Sequence, residues 1–196
     1  DRRLPWLATV LAAGALAWCA AGSAQASTPP AAAVNAAGNA AAAHPLLAGS
    51  RLRGEARLRF FGLPVYQARL WVLPGFDPAQ PAAHPALLEL TYERELRGEA
   101  IARRSLEEMR RAGEIDEARG RRWLAAMQRI FPDVRAGDRL AGLYRPGEGA
   151  RFWLNGQPAG DIADPDFARL FFGIWLAPTT SEPGLRLALL GLDAPR

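Results

Sequence analysis

The sequence predicts an α+β domain in which an antiparallel sheet is covered on one face by helices. Three observations lead there. Period-2 alternation of apolar and polar residues occupies 52–61, 65–72 and 87–93, which is the pattern of half-buried strands. The period then lengthens to that of helices, with Ile101, Leu106 and Met109 on one stripe and Trp123, Met127 and Ile130 on another. Strand signals return at Arg139 and helical ones close the chain, so the elements come in runs rather than alternating singly.

In the first strand Leu52, Gly54, Ala56, Leu58 and Phe60 make one face, and Arg53, Glu55, Arg57, Arg59 and Phe61 a strongly cationic second face. Gly62, Leu63 and Pro64 predict the turn. Val65 to Val72 follows, with Tyr66, Ala68, Leu70 and Val72 together, and after a loop over 74–85 comes Leu87 to Glu93, with Leu88, Leu90 and Tyr92 on one side. The first helix ends near Gly113 and the second at Pro132, because proline cannot continue a helix. Strands are expected from Arg139 to Tyr144 and from Arg151 to Leu154. Asn155-Gly156 then signals a hairpin, since both residues tolerate positive φ. Asp164-Pro165 reads as an N-cap followed by proline at the first helical position. It opens a helix holding Phe167, Leu170, Phe171, Ile174 and Trp175. Pro183 starts a last short helix through Leu190.

The first twenty-six residues read as a signal peptide: Arg2 and Arg3, an apolar run from Leu4 to about Ala21, then Ala24-Gln25-Ala26 for a peptidase cutting after Ala26. The run is shorter than the roughly 20 residues of a membrane span, and Trp18 is too bulky to precede a lipidated Cys19. Residues 27–46, rich in Ala, Pro, Asn and Gly and without charge, read as a flexible linker. Residues 47–196 form the domain. The expected location is therefore the periplasm or the exterior. Cleavage would remove Asp1, Arg2 and Arg3, one unit of the net charge of +4, and also the single cysteine. Every basic residue is arginine, and acidic residues are interleaved throughout. A nucleic-acid footprint is more one-sided than this. His44 and His84 offer little material for a metal site or a Ser/His/Asp triad, so no metal and no cofactor is expected.

The runs Gly54-Glu55-Ala56-Arg57, Phe61-Gly62 and Val65 to Trp71 resemble the exported bacterial branch of the chalcone isomerase-like family. Leu90-Thr91-Tyr92, Ser105 to Met109, Gly137-Asp138, Phe152 to Gly156, Phe167 to Leu176, Thr180-Ser181 and Leu189-Leu190-Gly191 continue the resemblance in unbroken order over roughly 47–191. It implies an open-faced β-sandwich: a large antiparallel sheet, a helical layer over it and a ligand cleft between them. Plant enzymes of the family cyclise chalcones, using an arginine on an early strand with threonine and tyrosine hydroxyls. Other members bind fatty acids without catalysis.

Carried onto this chain, the resemblance makes Arg57 the counterpart of that arginine, with Arg53 and Arg59 as rivals on the same expected face. Guanidinium suits a carboxylate or oxyanion because it stays charged and binds in a planar fork. Gln67 stands nearest the threonine position and cannot supply its hydroxyl, which weakens the isomerase reading. Tyr66 and Tyr92 could offer phenols, and Trp71 an apolar wall, although aromatic residues at such spacings more often fill core. Trp123, Phe171, Phe172 and Trp175 fall under the same rule. Glu107 and Glu108 diverge on a helix and read as a solvated face beside Arg103, Arg104, Arg110 and Arg111. Asp138 reads as a turn residue. The leading expectation is a non-catalytic protein holding a fatty-acid-like ligand through Arg57, Tyr66, Gln67, Trp71 and Tyr92. The alternatives are an intramolecular lyase of chalcone isomerase type and a cell-envelope interaction protein without a ligand. No nucleic acid and no stable membrane insertion after cleavage are expected.

Overall fold

A computed structural model describes residues 44–192. The expected signal peptide and the linker up to residue 43 lie outside the described residues. Strands β1 (Arg51–Phe60), β2 (Leu63–Val72), β3 (Ala86–Tyr92), β4 (Arg139–Arg145), β5 (Gly149–Leu154) and β6 (Gln157–Ile162) pair in chain order into one antiparallel sheet. Helices α1 (Gly98–Ala112), α2 (Glu117–Ile130), α3 (Pro165–Leu176) and α4 (Pro183–Leu190) cover one face. A short 3-10 turn, Pro81–Ala83, lies in the loop between β2 and β3.

The core forms where the apolar stripes meet. Ala68, Leu70 and Val72 of β2 and Leu88, Leu90 and Tyr92 of β3 face Met109, Met127, Phe167, Phe171 and Leu189 of the helices. Rings carry much of the packing: Phe167 stacks on Phe171 at 5.4 Å, and Phe152 meets Phe171 edge-on at 5.3 Å. Asp164 caps α3 as expected, accepting from the Phe167 N–H at 3.0 Å, and its other oxygen accepts from Trp123 Nε1 at 2.8 Å. One carboxylate thus ends an orphaned helix terminus and ties α2 to α3.

Two bulges decide which side chains share a face. Leu52 pairs with Trp71 and Gly54 with Leu70, so Arg53 is an extra residue in β1. A bulge reverses the alternation. Leu52 therefore leaves the helix-facing set, and Arg53 leaves the cationic face to donate from Nε to the Leu190 carbonyl at 2.7 Å. The expected grouping of Arg53 with Arg57 and Arg59 is corrected on this ground. The second shift leaves Val65 unopposed between the Leu58–Tyr66 and Arg59–Pro64 pairs. It places the β1–β2 turn at Phe61-Gly62, one residue earlier than expected, with Leu63 and Pro64 inside β2. Gly54 itself is required by close approach: a Cβ there would lie 2.1 Å from the Ala188 carbonyl oxygen of α4.

Among the described residues, the second face of the sheet is covered at its centre alone. Residues 44–50 cross it as a strap. Leu46 and Leu47 pack on a small cluster of Leu87, Ala141, Trp153, Trp71 and Leu143. His44 is buried, and its Nε2 lies 3.2 Å from Glu89 Oε2. The Leu46 N–H donates to His44 Nδ1 at 3.2 Å, so Nε2 carries the proton that Glu89 accepts. His44 and Leu46, at the end of the expected linker, are thus packed on the sheet, while Pro45 between them is exposed.

Candidate functional site

The five residues singled out from the sequence divide between the two faces of the sheet. Tyr66 and Tyr92 are register partners on the helix-covered side, with ring centroids 6.0 Å apart. Arg57 pairs with Gln67 across β1 and β2, one step along from the Leu58–Tyr66 pair, so both point to the opposite face. Arg57 is exposed and forms an ion pair with Glu93 at 3.0 Å. Gln67 and Arg69 both reach Glu55, at 3.3 and 3.1 Å. Trp71 lies on that face too, against His44 at 5.4 Å. The cationic face expected from β1 is thus neutralised in part: Glu93 pairs Arg57, while Glu55 pairs Arg69 of β2. That face does not look into the space under the helices.

On the covered side, Tyr66 is enclosed at its hydroxyl end and accepts from Trp175 Nε1 at 3.0 Å. Burial raises the ionisation of Tyr66 well above the ordinary tyrosine value, with the Trp175 hydrogen bond opposing the rise. Tyr92 is raised by burial and, secondarily, by Tyr66. Both phenols are neutral donors or acceptors at physiological pH, and neither is poised to ionise. Nearby, Glu108 departs from the solvated reading. Its side chain is 8% exposed, takes the Ser181 hydroxyl at 2.8 Å and pairs with Arg104, with Arg111 at 3.6 Å. Glu107 remains exposed with Arg104 beside it. The helix turns Glu108 inward by roughly 100° relative to Glu107.

Open space lies elsewhere. A groove of about 460 Å³ runs between α3 and the Pro81–Ala83 turn. Its walls are mostly apolar, among them Leu170, Phe172 and Leu176 of α3 with Ala112 of α1. Three polar groups reach it: Gln80, Tyr144 and Arg169. The Tyr144 hydroxyl donates to the Ala82 carbonyl at 2.8 Å, fastening the turn to β4. Burial raises the Tyr144 ionisation, and Arg169 pulls it back, so the guanidinium acts at the phenol end of the groove. Arg169 is about half exposed and meets Asp166 at 3.4 Å. None of the five expected residues lines this groove. Its chemistry sits on α3 and on a loop, where neither period nor motif distinguishes Arg169 from an ordinary polar helix position. Among the described residues no group of three or more His, Cys, Asp or Glu is placed to hold a metal ion, and no helix is long and apolar enough to cross a membrane.

The sequence matches the chalcone isomerase-like family over residues 51–191. An uncharacterized protein of Haemophilus influenzae is 31% identical over 112 residues, which are 57% of this chain and 54% of that protein. The match thus spans about half the length of that relative. A fatty-acid binding protein of Arabidopsis thaliana is similar in structure, with a TM-score of 0.58 over 76% of this chain and 89% of that one, at 11% identity. At that identity the likeness is one of fold. The six-stranded sheet under four helices and the match from β1 to the end of α4 lead to one conclusion: the chain belongs to the chalcone isomerase-like family.

Proposed function

We propose that the protein is a non-catalytic binder of a small lipophilic molecule with a carboxylate head, fatty-acid-like in chemistry, held in the groove between α3 and the Pro81–Ala83 turn. The observation that carries this reading is the groove itself. It is apolar-walled, about 460 Å³ in volume, and has one cation, Arg169, within it. Sites for small ligands are typically apolar clefts of roughly 300–1,000 Å³ with a few placed polar groups. Arg169 spends a single long contact on Asp166, and a guanidinium carries five donors. The fatty-acid binding neighbour of the same fold supports the choice of ligand class.

Cyclisation of a chalcone has less support. It asks for a cation, a phenol and a ketone-polarising hydroxyl around one cleft. Here Arg57 and Gln67 stand on one face of the sheet and Tyr66 and Tyr92 on the other.

Export completes the proposal. The Arg2-Arg3 start, the apolar run and Ala24-Gln25-Ala26 support cleavage after Ala26 and membership of the exported branch. An intact mass lacking residues 1–26 is expected from the periplasmic fraction; a full-length mass would count against it.

The binding test is thermal unfolding with palmitate, and with the corresponding long-chain alcohol as a headless control. At about a hundredfold excess over Kd, ligand adds about 2.7 kcal/mol, a rise of about 5–10 °C. Arg169→Gln should shrink the palmitate shift towards that of the alcohol. Ala82→Trp, which fills the groove from an exposed loop position, should abolish both. No shift with palmitate in the parent protein would end the proposal.

A further inference from the structure

The two tight hairpins of the sheet have nearly the same turn geometry. Asn155 and Gly156 have φ of 50° and 81°, and Phe61 and Gly62 have φ of 47° and 78°. A left-handed residue at the first position is easy for asparagine and strained for a bulky side chain. Phe61 therefore stands where the turn itself selects against it. Packing adds one edge-on contact with the Phe60 ring at 4.4 Å and little burial: Phe61 is 84% exposed and Leu63 is 58% exposed, two of the most exposed large apolar side chains among the described residues. Strained backbone positions cluster at ligand clamps and other functional sites.

The surroundings are cationic. The Arg59 guanidinium donates to the Gly62 carbonyl at 3.1 Å, which holds it over the turn. Arg57 lies two positions back on the same strand. Glu93, its partner at 3.0 Å, is joined to β2 by its N–H to the Val65 carbonyl, and Arg94 follows it. Arg57, Arg59 and Arg94 against Glu93 and the following Glu95 leave an excess of one positive charge here. Two side chains on a hairpin tip are too small for a stable protein interface, which needs roughly 800 Å² from each partner. They are enough for a bilayer, where apolar side chains enter the interface and arginines meet anionic headgroups.

We propose that the β1–β2 hairpin tip docks the protein on an anionic lipid surface, with Phe61 and Leu63 entering the bilayer interface and Arg57 and Arg59 contacting headgroups. The inference stands apart from the contents of the groove and is tested apart from it. The full chain carries Cys19→Ser and Leu63→Cys, and the new thiol bears an environment-sensitive nitrobenzoxadiazole probe. Emission is read on vesicles of phosphatidylcholine and on equimolar phosphatidylcholine and phosphatidylglycerol.

The expected result is a blue shift on the mixed vesicles only, reversed by high salt. Adding Arg59→Gln should weaken it. Adding Phe61→Asn, which keeps the turn geometry of Asn155, should reduce apparent affinity about tenfold or more without lowering the melting temperature. A probe at Glu117→Cys, on an exposed helix end, should stay in water. The proposal is overturned if the Leu63 probe keeps its aqueous emission on mixed vesicles, or if Phe61→Asn leaves the shift intact. It is equally overturned if the Glu117 probe shifts as much. A shift that grows with protein concentration in the absence of vesicles would assign the tip to self-association instead.

Discussion

Tyr66→Phe separates a structural tyrosine from a ligand-binding one. In the fold the Tyr66 oxygen accepts from Trp175 Nε1 at 3.0 Å, across the junction of β2 and α3. Removing the oxygen leaves an enclosed indole N–H without its acceptor, which costs about 1–3 kcal/mol. For a domain of this size about 2 kcal/mol lowers the melting temperature by about 4–8 °C. Trp175→Phe should cost at least as much, because it orphans the phenol and also leaves space beside Phe171, whose ring lies 5.5 Å from that of Trp175. The double variant removes both partners, so its cost should fall short of the sum by about 1 kcal/mol or more. Urea denaturation of the four proteins closes the cycle. Tyr66 does not line the groove, so Tyr66→Phe should leave palmitate affinity within about twofold, well under the tenfold that about 1.4 kcal/mol represents. The reasoning is refuted by an additive cycle, or by a variant of unchanged stability whose palmitate affinity falls tenfold.

The two buried phenols also set an alkaline limit. Burial raises the ionisation of Tyr66 and Tyr92 in the fold above the unfolded value of about 10. Their contribution is therefore complete below that pH and is lost as pH rises past it, by about 1.4 kcal/mol per pH unit for each tyrosine. Stability measured by urea from pH 9 upward should fall with that slope, and Tyr92→Phe should flatten it. Gly54→Ala should cost about 3 kcal/mol and release α4 to proteolysis, because the added Cβ meets the Ala188 carbonyl at 2.1 Å and the Leu189 carbonyl at 2.6 Å, both backbone atoms that cannot step aside. His44→Ala should cost about 2 kcal/mol by leaving the Glu89 carboxylate buried without its donor. Adding Glu89→Gln should recover part of that loss, since a neutral amide is cheaper to bury than a carboxylate; no recovery would mean that the strap is held by Leu46 and Leu47 alone.

What the sequence could and could not reveal turns on how far each signal reaches. Elements were legible because their causes are local. Asp164-Pro165 caps α3 within three residues, and Asn155-Gly156 sets its own turn. The helical stripe of Trp123, Met127 and Ile130 needs only the 3.6-residue period. Grouping within a face was legible where the ladder is regular, as for Tyr66, Ala68, Leu70 and Val72. Arg53 was not, because it is itself the extra residue of a bulge, and nothing in an alternating string of arginines marks where a bulge falls. The inward turn of Glu108 depends on Ser181, seventy-three positions away, and the strap depends on Glu89 finding His44 across forty-five.

The groove is longer-range still. Its walls come from the Pro81–Ala83 turn, which Tyr144 of β4 holds by its hydroxyl, and from α3, far along the chain, so no single segment contains it. Arg57 stands on the open face because it alternates with Ala56 and Leu58, which pack on the covered side. The expected head-group cation therefore lies across the sheet from the helices, and Arg169, on α3, is the cation beside the apolar groove.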